Sequence, residues 1–492
     1  MKMMNPETKQ QLDRMCNPRG LAIFGGVSKP GSFANSILVS HVKYGFKGKL
    51  YPISPKGGDV GGHKIYKNLN EIDEPVDLAS ISVPAEAVPE ILEACLEHGV
   101  AGAEIHTSGF GETGEEVGKE LQKKITEISK KGLRLIGPNC FGIHSPKGGL
   151  TLLPGFDMQR DRGNVAMISQ SGGIANDFGH EAITAGLKIS KIISFGNGCD
   201  LEAAELLEYL GEDDDTEYIA AYLEGVRDGR QFLDTVKSVS GKKPVLIWKG
   251  GLTPLGARAT LSHTGSLGGE SKIWNGAITQ AGALSVRGLD DIIDTLSVLS
   301  YVKSKGNRIA IAGGGGAIGV FSSDLAHEWG IEIPLFSPDT QQRLHEFFPT
   351  PGNSVANPLD TGTPMFPVEW LSEMIREILT REPIDIMVLI MLLHPLEVVA
   401  PSFMEAAGIT TPPPRGHYLD SLLSSVSGIK KDTGKDIALV LENRAYRPED
   451  IDIESLKRRL IRDYQDQGIP VFPSAERALR GIRNAHLLNP ST

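Results

Sequence analysis

One local plan occurs three times along this chain: a short β-rich run, a glycine turn and then a helical pattern. The three β-rich runs begin at Leu21, Val165 and Arg308, and glycines soon follow each of them. Glycine between a buried strand and a helix is typical of the opening of a doubly wound α/β unit. The openings lie about 140 residues apart, which fits one domain for each. The sequence therefore predicts an α/β protein with three doubly wound, Rossmann-like or flavodoxin-like parallel-sheet domains.

Strand-like and helical patterns alternate between these openings, which favours mostly parallel sheets covered on both faces. The predicted domains span residues 10–146, 160–303 and 307–488. Segments rich in Pro, Gly and charged residues separate them, as is usual for linkers. Ligands of such sheets bind where loops leave the carboxyl ends of the strands, so the glycine loops are where chemistry is expected.

Composition argues against several classes of protein. The chain of 492 residues has 50 Lys and Arg against 61 Asp and Glu, a net charge of −11, which does not favour a nucleic-acid partner or an anionic membrane surface. No apolar run reaches the roughly 18 residues of a membrane helix, and the amino-terminal residues lack the apolar core of a secretion signal. We therefore expect a cytoplasmic protein. The four cysteines are scattered without a CxxC pair, so no metal site is predicted.

The first glycine loop contains Gly26, Ser28 and Pro30. It lacks the GxGxxG spacing of a dinucleotide site, and the next strand runs into Lys56 rather than into the carboxylate that holds a ribose 2′-hydroxyl. A lysine suits an added phosphate, which favours a phosphorylated nucleotide such as coenzyme A over NAD. The alternative is a turn that merely needs glycine.

The second glycine loop contains Ser169, Ser171, Gly172 and Gly173 and stands before a predicted helix. The N–H groups at a helix N-terminus, with the positive end of the helix dipole behind them, form a ready site for a phosphate. The hydroxyl groups of Ser169 and Ser171 are expected to add donors. Ser171 also qualifies as the N-cap residue of the helix, and the two interpretations are compatible.

Two further residues could carry phosphoryl chemistry. His263 lies in a long segment that contains four glycines, after a buried-looking strand and before a helix. A neutral imidazole attacks phosphorus well and can pass the group on, although a lone histidine is more often structural. Glu224 ends the strand 218–223, where its carboxylate could hold the second imidazole nitrogen and fix the tautomer. The alternative for Glu224 is a solvated glutamate at a strand end.

The remaining candidates are weaker. Asn139 follows the last strand of the first domain and could form hydrogen bonds beside a thioester or a phosphate. Its neighbour Cys140 is a tempting nucleophile, but the sequence places no histidine to activate it, and a small buried thiol is commoner. The third glycine loop, residues 313–316, is compatible with close packing alone, and no role is assigned to it.

Nine short segments together resemble the α subunit of the NDP-forming acyl-CoA synthetases, a family that includes the ADP-forming acetate–CoA ligases and the relatives of succinyl-CoA synthetase. They follow in family order from about Asn17 to Leu479. The segments are Asn17-Pro-Arg, Ser82-Val-Pro-Ala, Thr107-Ser-Gly-Phe, Gly137-Pro-Asn-Cys, Ile168-Ser-Gln-Ser-Gly, Tyr222-Leu-Glu-Gly, Ser262-His-Thr-Gly-Ser-Leu, Asn357-Pro-Leu-Asp and Ile469-Pro-Val-Phe-Pro-Ser-Ala-Glu-Arg. Each motif alone is modest, but this many in order are specific.

The resemblance implies a reversible reaction in which an acid, CoA and an NTP give acyl-CoA, NDP and phosphate through an acyl phosphate and a phosphohistidine. It implies that His263 is the phosphohistidine, that Glu224 steadies it and that Asn139 lies beside the thioester. The residues implied to hold phosphate are Ser171, Gly172 and Gly173, and those implied to line CoA are Gly26, Ser28, Pro30, Lys56, Val83 and Pro84.

No segment resembles the ATP-grasp domain that phosphorylates the histidine in this family. The resemblance therefore implies a separate ATP-grasp β subunit that holds Mg²⁺ and ATP or ADP, in an α2β2-like assembly. The identity of the small organic acid stays open, since Phe141 stands where the family more often has Leu or Pro. A non-catalytic regulator that binds CoA or acyl-CoA is the main alternative, although it would need neither His263 nor Glu224. The third possibility is a nicotinamide-dependent oxidoreductase, but the chain lacks the GxGxxG motif of that class.

Overall fold

A computed structural model describes residues 4–155, 157–258, 270–347, 353–361, 367–402, 413–443 and 447–488. The chain forms two compact units. The larger unit comprises Met1–Ile183 and Lys188–Leu289, and the smaller unit comprises Thr184–Leu187 and Asp290–Thr492. The larger unit contains two main sheets and the smaller unit contains one. The predicted α/β class with several parallel sheets is confirmed, whereas the boundaries of the three domains stay a prediction.

The first sheet of the larger unit is parallel throughout, in the order β2-β1-β5-β6-β7. Its elements in chain order are α1 (Pro6–Cys16), β1 (Gly20–Gly25), α2 (Phe33–Tyr44), β2 (Lys49–Ile53), the hairpin strands β3 (Gly58–Val60) and β4 (His63–Ile65), β5 (Leu78–Ser82), α3 (Val88–Glu97), β6 (Gly102–Ile105), α4 (Glu116–Ser129) and β7 (Arg134–Ile136). The apolar run of β1 is buried on both faces, as a central parallel strand requires. The strand order reverses between β1 and β5, which makes that crevice the switch point of the sheet.

The second sheet of the larger unit has the order β13-β12-β11-β9-β10-β8. Its elements are β8 (Gly142–His144), β9 (Val165–Ser169), α5 (Gly172–Thr184), β10 (Ile189–Ser194), α6 (Ala203–Gly211), β11 (Tyr218–Leu223), α7 (Gly229–Ser240), β12 (Val245–Lys249), α8 (Ser271–Gln280) and β13 (Leu284–Val286). All pairs are parallel except β8 with β10. Its switch point lies between β9 and β11. The chain thus joins the second sheet as soon as it leaves β7.

The smaller unit contains a parallel sheet in the order β14-β15-β16-β17. Its elements are α9 (Leu289–Tyr301), β14 (Ile309–Gly313), α10 (Gly316–Trp329), α11 (Pro338–His345), α12 (Val368–Arg381), β15 (Ile386–Leu392), α13 (His417–Thr433), β16 (Asp436–Glu442), α14 (Ile451–Asp466), β17 (Val471–Phe472) and α15 (Ala475–Leu488). Asp294 on α9 is buried and accepts hydrogen bonds from Arg477 and Arg480 on α15. Among the helices of the described ranges, none combines the length and the apolar character that crossing a bilayer requires.

Two of the buried histidines of the larger unit, His41 and His144, have surroundings that favour the neutral ring. His41 donates from Nδ1 to the carbonyl of Ile37 at 2.9 Å, and its Nε2 lies 3.5 Å from the N–H of Thr151, which donates to it. Burial lowers the pKa of His41, and it lowers the pKa of His144 to about 3. Both rings therefore stay neutral in the folded protein at pH values just below 6.5, where the histidines of the unfolded chain bind a proton.

We predict that the larger unit loses stability as the pH falls below about 6.5, because the unfolded chain then binds protons that the native state excludes. The stability present above pH 6.5 should decrease by about 1.4 kcal/mol per pH unit for each such histidine. His144→Leu should flatten this dependence when the free energy of unfolding is measured in urea at pH 7 and pH 5. His180→Leu, at an exposed position, is the control and should not. Parallel losses in the wild type and in His144→Leu would contradict the assignment.

Candidate active site

The first switch point places a glycine loop at the carboxyl end of β1. Gly25 has a φ of +141°, and a Cβ at this position would overlap the carbonyl oxygen of Ser82 at the end of β5. The hydroxyl of Ser32 caps α2 by accepting a hydrogen bond of 3.2 Å from the N–H of Asn35. The same hydroxyl donates to the carbonyl of Gly26 at 2.7 Å. Glycine is thus required where β1 meets β5, and the serine fixes the loop to the start of α2.

The six residues predicted to line CoA all lie on loops at this edge. Lys56 is exposed after β2, and the half-buried Val83 follows β5. The carbonyl of Val83 accepts a hydrogen bond of 2.7 Å from the hydroxyl of Thr107. Because β2, β1 and β5 are neighbours in the sheet, the loops after them share one edge. The six are Gly26, Ser28, Pro30, Lys56, Val83 and Pro84.

The loop that follows β7 carries Asn139 in the left-handed conformation, with a φ of +58°. Asparagine tolerates this region better than most residues. The N–H of Asn139 donates to the carbonyl of Thr107 at 3.0 Å, and the N–H of Asn197 donates to the carbonyl of Pro138 at 3.0 Å. Thr107 follows a strand of the first sheet and Asn197 follows a strand of the second. Contacts from both sheets therefore fix the half-buried Asn139.

Cys140 is a buried structural thiol rather than a nucleophile. Its side chain is 2% exposed, and its Sγ lies 3.3 Å from the carbonyl oxygen of Ile105, to which it donates. Burial raises the pKa of the Cys140 thiol, so the thiolate that a nucleophile requires is disfavoured.

The second switch point places the loop 169–173 at the N-terminus of α5. The hydroxyl of Ser171 accepts a hydrogen bond of 3.4 Å from the N–H of Ile174, so the N-cap interpretation is confirmed. The expectation for the Ser169 hydroxyl is wrong. Ser169 is fully buried, and its hydroxyl donates to the carbonyl of Ser171 at 2.7 Å while accepting from the N–H of Ser171 at 3.1 Å. It closes the turn and is not directed at a ligand.

The start of α5 is bounded on one side by an aromatic ring. A Cβ at Gly172 would lie 2.5 Å from Cγ of Phe141, whereas a Cβ at Gly173 would meet only the Ser171 hydroxyl, at 3.8 Å. The N–H of Phe141 donates to the hydroxyl of Ser194 at 3.0 Å, which fixes the backbone that carries the ring. Phe141 therefore forms a wall directly beside the predicted phosphate site.

Glu224 lies at the same switch point as the phosphate loop. Its side chain is 6% exposed, so the interpretation as a solvated strand-end glutamate is wrong. The hydroxyl of Tyr222 donates to Oε1 of Glu224 at 3.1 Å, and burial raises the pKa of Tyr222, which keeps that donor protonated. Oε1 of Gln170, within the phosphate loop, accepts hydrogen bonds from the N–H groups of Glu224 and Gly225. One amide side chain thus joins the predicted phosphate site to the predicted catalytic carboxylate.

Two predicted features remain. His263 lies outside the described residues, as does the whole of residues 259–269. In the third glycine loop, a Cβ at Gly313 would overlap the carbonyl oxygen of Ile390, so close packing explains that glycine. Within the described part of the chain, no group of three or more His, Cys, Asp or Glu side chains is arranged to hold a metal ion.

Sequence reasoning missed Gln170, Tyr222 and Lys249, which surround Glu224. Gln170 and Tyr222 lie within two of the nine segments that resemble the family, but the sequence assigns a role to neither. Gln170 and Lys249 bind the main chain of Glu224, and Tyr222 donates a hydrogen bond to its carboxylate. Composition and motif spacing do not reveal such contacts.

Family comparisons match the two sheets of the larger unit separately. Residues 19–146 match a CoA binding domain, and residues 162–299 match a succinyl-CoA ligase like flavodoxin domain. The first range contains all six residues predicted to line CoA, and the second contains Ser171 and Glu224.

Known proteins resemble the chain over most of its length. It is 40% identical over 350 residues to the α subunit of ADP-forming acetate–CoA ligase II of Pyrococcus furiosus, covering 71% of this chain and 76% of that protein. It is 36% identical over 354 residues to an ADP-forming acetate–CoA ligase of Methanocaldococcus jannaschii, of which it covers 49%. A solved dinucleotide forming acetyl-coenzyme A synthetase of Ca. Korarchaeum cryptofilum, in complex with phosphate and ADP, matches with a TM-score of 0.79 and 30% identity, covering 97% of this chain and 96% of that one.

We predict that Gly172→Ala destabilises the larger unit by about 1–3 kcal/mol, because the added Cβ would overlap the Phe141 ring. Gly173→Ala is the matched control, since the same methyl group one residue further along the helix would make only an ordinary contact of 3.8 Å with the Ser171 hydroxyl. It should leave the free energy of unfolding unchanged or raise it slightly, as alanine is the better helix former.

The double variant Gly172→Ala with Phe141→Ala tests the cause. If the ring is responsible, the two changes should be non-additive, with a coupling energy of about 0.5–3 kcal/mol in urea unfolding. Strict additivity would mean that the loss at Gly172 has another origin.

Proposed function

The chain belongs to the NDP-forming acyl-CoA synthetases, and from that premise we propose that it is the CoA-binding, phosphoryl-carrying α subunit of such an enzyme. The overall reaction converts a small organic acid, CoA and an NTP to acyl-CoA, NDP and phosphate, reversibly. The observation that carries the proposal is the link between Gln170 and Glu224, because it joins a helix N-terminus fit for phosphate to a buried carboxylate at one switch point.

The first switch point is the proposed CoA site. Backbone near Gly26, Ser28 and Pro30 would approach the pyrophosphate, and the exposed ammonium of Lys56 would pair with the 3′-phosphate. Val83 and Pro84 would form the apolar side of the site. The close contact between β1 and β5 at Gly25 supports this, because it leaves the two loops side by side.

The second switch point is the proposed phosphoryl site. The N–H groups at Gly172 and Gly173 and the hydroxyl of Ser171 would hold the transferred group at the positive end of α5. His263 would carry the phosphoryl group on its imidazole, and Glu224 would orient that ring by accepting from its second nitrogen. The burial of Glu224 supports this role, because a carboxylate removed from water acts more strongly on a neighbouring ring.

Two bond exchanges complete the proposed reaction. A carboxylate oxygen of the acid attacks phosphorus as the N–P bond of His263 breaks, which gives an acyl phosphate and a free imidazole. The sulfur of CoA then attacks the acyl carbon, the C–O bond to phosphate breaks, and the thiol proton passes to the departing phosphate. Asn139, whose N–H is bonded to the carbonyl of Thr107, would form a hydrogen bond to the acyl group during this exchange.

A partner subunit is expected because the relatives of similar length are named as α subunits. We propose that the partner is an ATP-grasp β subunit in an α2β2-like assembly, and that it would hold Mg²⁺ and the nucleotide. ATP would donate its γ-phosphoryl group to His263 and leave as ADP, and in the reverse direction ADP would accept that group. The chain spans about half of the Methanocaldococcus jannaschii ligase, whose name mentions no subunits, and this length difference supports a second chain. The proposed location is the cytoplasm, which the four free cysteines support.

We predict that the purified chain, incubated with phosphate and a panel of acyl-CoA thioesters, gains one phosphoryl group by intact-mass measurement. The modification should be labile to acid and stable to base, because phosphorus is bonded to an imidazole nitrogen. His263→Asn is the paired sample and should show no gain. A gain that persists in His263→Asn would remove this residue from the mechanism.

The same measurement, repeated with the co-purified partner, separates the proposed enzyme from a non-catalytic CoA-binding regulator of the same fold. Phosphorylation that appears only with the partner still supports the enzyme. Binding of acyl-CoA without any phosphorylation in either sample would support the regulator.

A second prediction concerns the CoA site. Lys56→Ala should weaken CoA binding about tenfold in calorimetry, because the charge-assisted hydrogen bond to the 3′-phosphate is lost. Binding of dephospho-CoA, which lacks that phosphate, should hardly change. Lys119→Ala, at an exposed position on α4, is the control and should bind CoA as the wild type does. Equal weakening for both ligands would place the lysine away from the 3′-phosphate.

A further inference from the structure

A buried lysine joins the two strand ends on which the proposed phosphoryl chemistry depends. β11 and β12 are parallel neighbours, with Leu223 paired to Lys249. Nζ of Lys249 donates to the carbonyl oxygen of Glu224 at 2.7 Å and to the carbonyl oxygen of Gly250 at 2.5 Å. Glu224 carries the proposed catalytic carboxylate, and Gly250 begins the stretch of sequence that leads to His263. One ammonium group therefore ties both together.

The surroundings of Lys249 are unusual for a lysine. The residue is 7% exposed, and its Nζ lies 5.7 Å from the centre of the Trp274 ring on α8. Burial lowers the pKa of Lys249, and the Glu224 carboxylate acts in the opposite direction. A buried ammonium is costly to desolvate unless its hydrogen bonds are satisfied. Here two main-chain carbonyls and the face of an aromatic ring supply that compensation.

The main chain of Glu224 is held from the other side as well. Gln170 accepts hydrogen bonds from the N–H groups of Glu224 and Gly225, and its own N–H donates to the carbonyl of Tyr222 at 3.1 Å. The N–H of Gly250 donates to the carbonyl of Leu223 at 2.8 Å. The main chain of Glu224 is thus fixed at its N–H by the Gln170 amide and at its carbonyl by the Lys249 ammonium.

We propose that Lys249 is a positioning residue for phosphoryl transfer, which sets the Glu224 carboxylate and the start of the histidine-bearing segment in a fixed mutual geometry. The inference rests on the proposed function, because Glu224 and His263 receive their roles there. Lys249 touches no reacting atom and acts through the two carbonyl groups that it binds.

The chain offers a matched control at the opposite end of the same strand. Nζ of Lys243, just before β12, donates to the carbonyls of Leu210 at 2.8 Å and Asp213 at 2.6 Å. Burial also lowers the pKa of Lys243. It therefore joins two main-chain carbonyls as Lys249 does, but at the amino edge of the sheet, away from the proposed chemistry.

The test compares Lys249→Met and Lys243→Met in the enzyme co-purified with its partner subunit. Lys249→Met should lower kcat for acyl-CoA formation about 100-fold, because small displacements of catalytic groups have effects of that size. The affinity for CoA, measured by calorimetry, should stay within about twofold, since CoA is bound at the first switch point. Lys249→Arg, which retains donors and charge, should recover part of the lost kcat. Lys243→Met should keep kcat near the wild-type value.

The outcomes are distinct. A folded Lys249→Met enzyme with kcat within about threefold of the wild type would overturn the inference, as would equal losses of kcat in the Lys249→Met and Lys243→Met enzymes. If Lys249→Met does not fold, Gln170→Met decides instead, because it releases the same peptide from the other side. Gln170→Met should then lower kcat at unchanged CoA affinity, and an unchanged kcat would overturn the inference. No turnover by the wild-type complex would mark failure of the proposed function, not of the positioning role alone.

Discussion

A single buried carboxylate, Glu104 on β6, ties the two sheets of the larger unit together. Its Oε2 accepts a hydrogen bond of 3.1 Å from the N–H of Ile143 on β8, and a Cβ at Gly142 would lie only 2.5 Å from that oxygen. Its Oε1 lies 3.3 Å from Nε2 of the buried His106. Removing one partner of such a buried hydrogen-bonded group leaves the other unsatisfied, which costs on the order of 1–3 kcal/mol. The carboxylate thus fixes where the chain crosses from the first sheet to the second.

That crossing sets the geometry of both candidate sites, because it carries residues that belong to each. Asn139 lies within it, bonded through its N–H to the end of β6. Two residues later, Phe141 is bonded to Ser194 of the second sheet and packs against Gly172 at the start of α5. The relation between the proposed thioester position and the proposed phosphate position is therefore a property of this short segment. A change at Phe141 would therefore alter the wall beside the start of α5.

The sequence alone was sufficient for the features that depend on local pattern. Buried parallel strands followed by glycine leave a strong signal, which located Ser171 and Glu224 at the carboxyl edge of a sheet. Gln170 and Lys249 were missed because they bind the main chain of a residue 54 and 25 positions away, and register across a sheet has no local signature. The hydroxyl of Ser169 was placed wrongly for a related reason: its orientation depends on how the turn closes.

The hydrogen bonds that hold Glu224 suit a carboxylate that binds the proposed phosphohistidine only during part of the reaction. Its N–H and carbonyl groups are bound by the side chains of Gln170 and Lys249, and its Oε1 accepts a hydrogen bond from the hydroxyl of Tyr222. These contacts fix the main chain of Glu224 and one of its carboxylate oxygens. Catalysis by fixed dipoles and charges requires that they need no rearrangement at the moment of reaction. For the proposed phosphohistidine, a carboxylate that is already held in place is therefore a suitable partner, and here its position is fixed through the main chain.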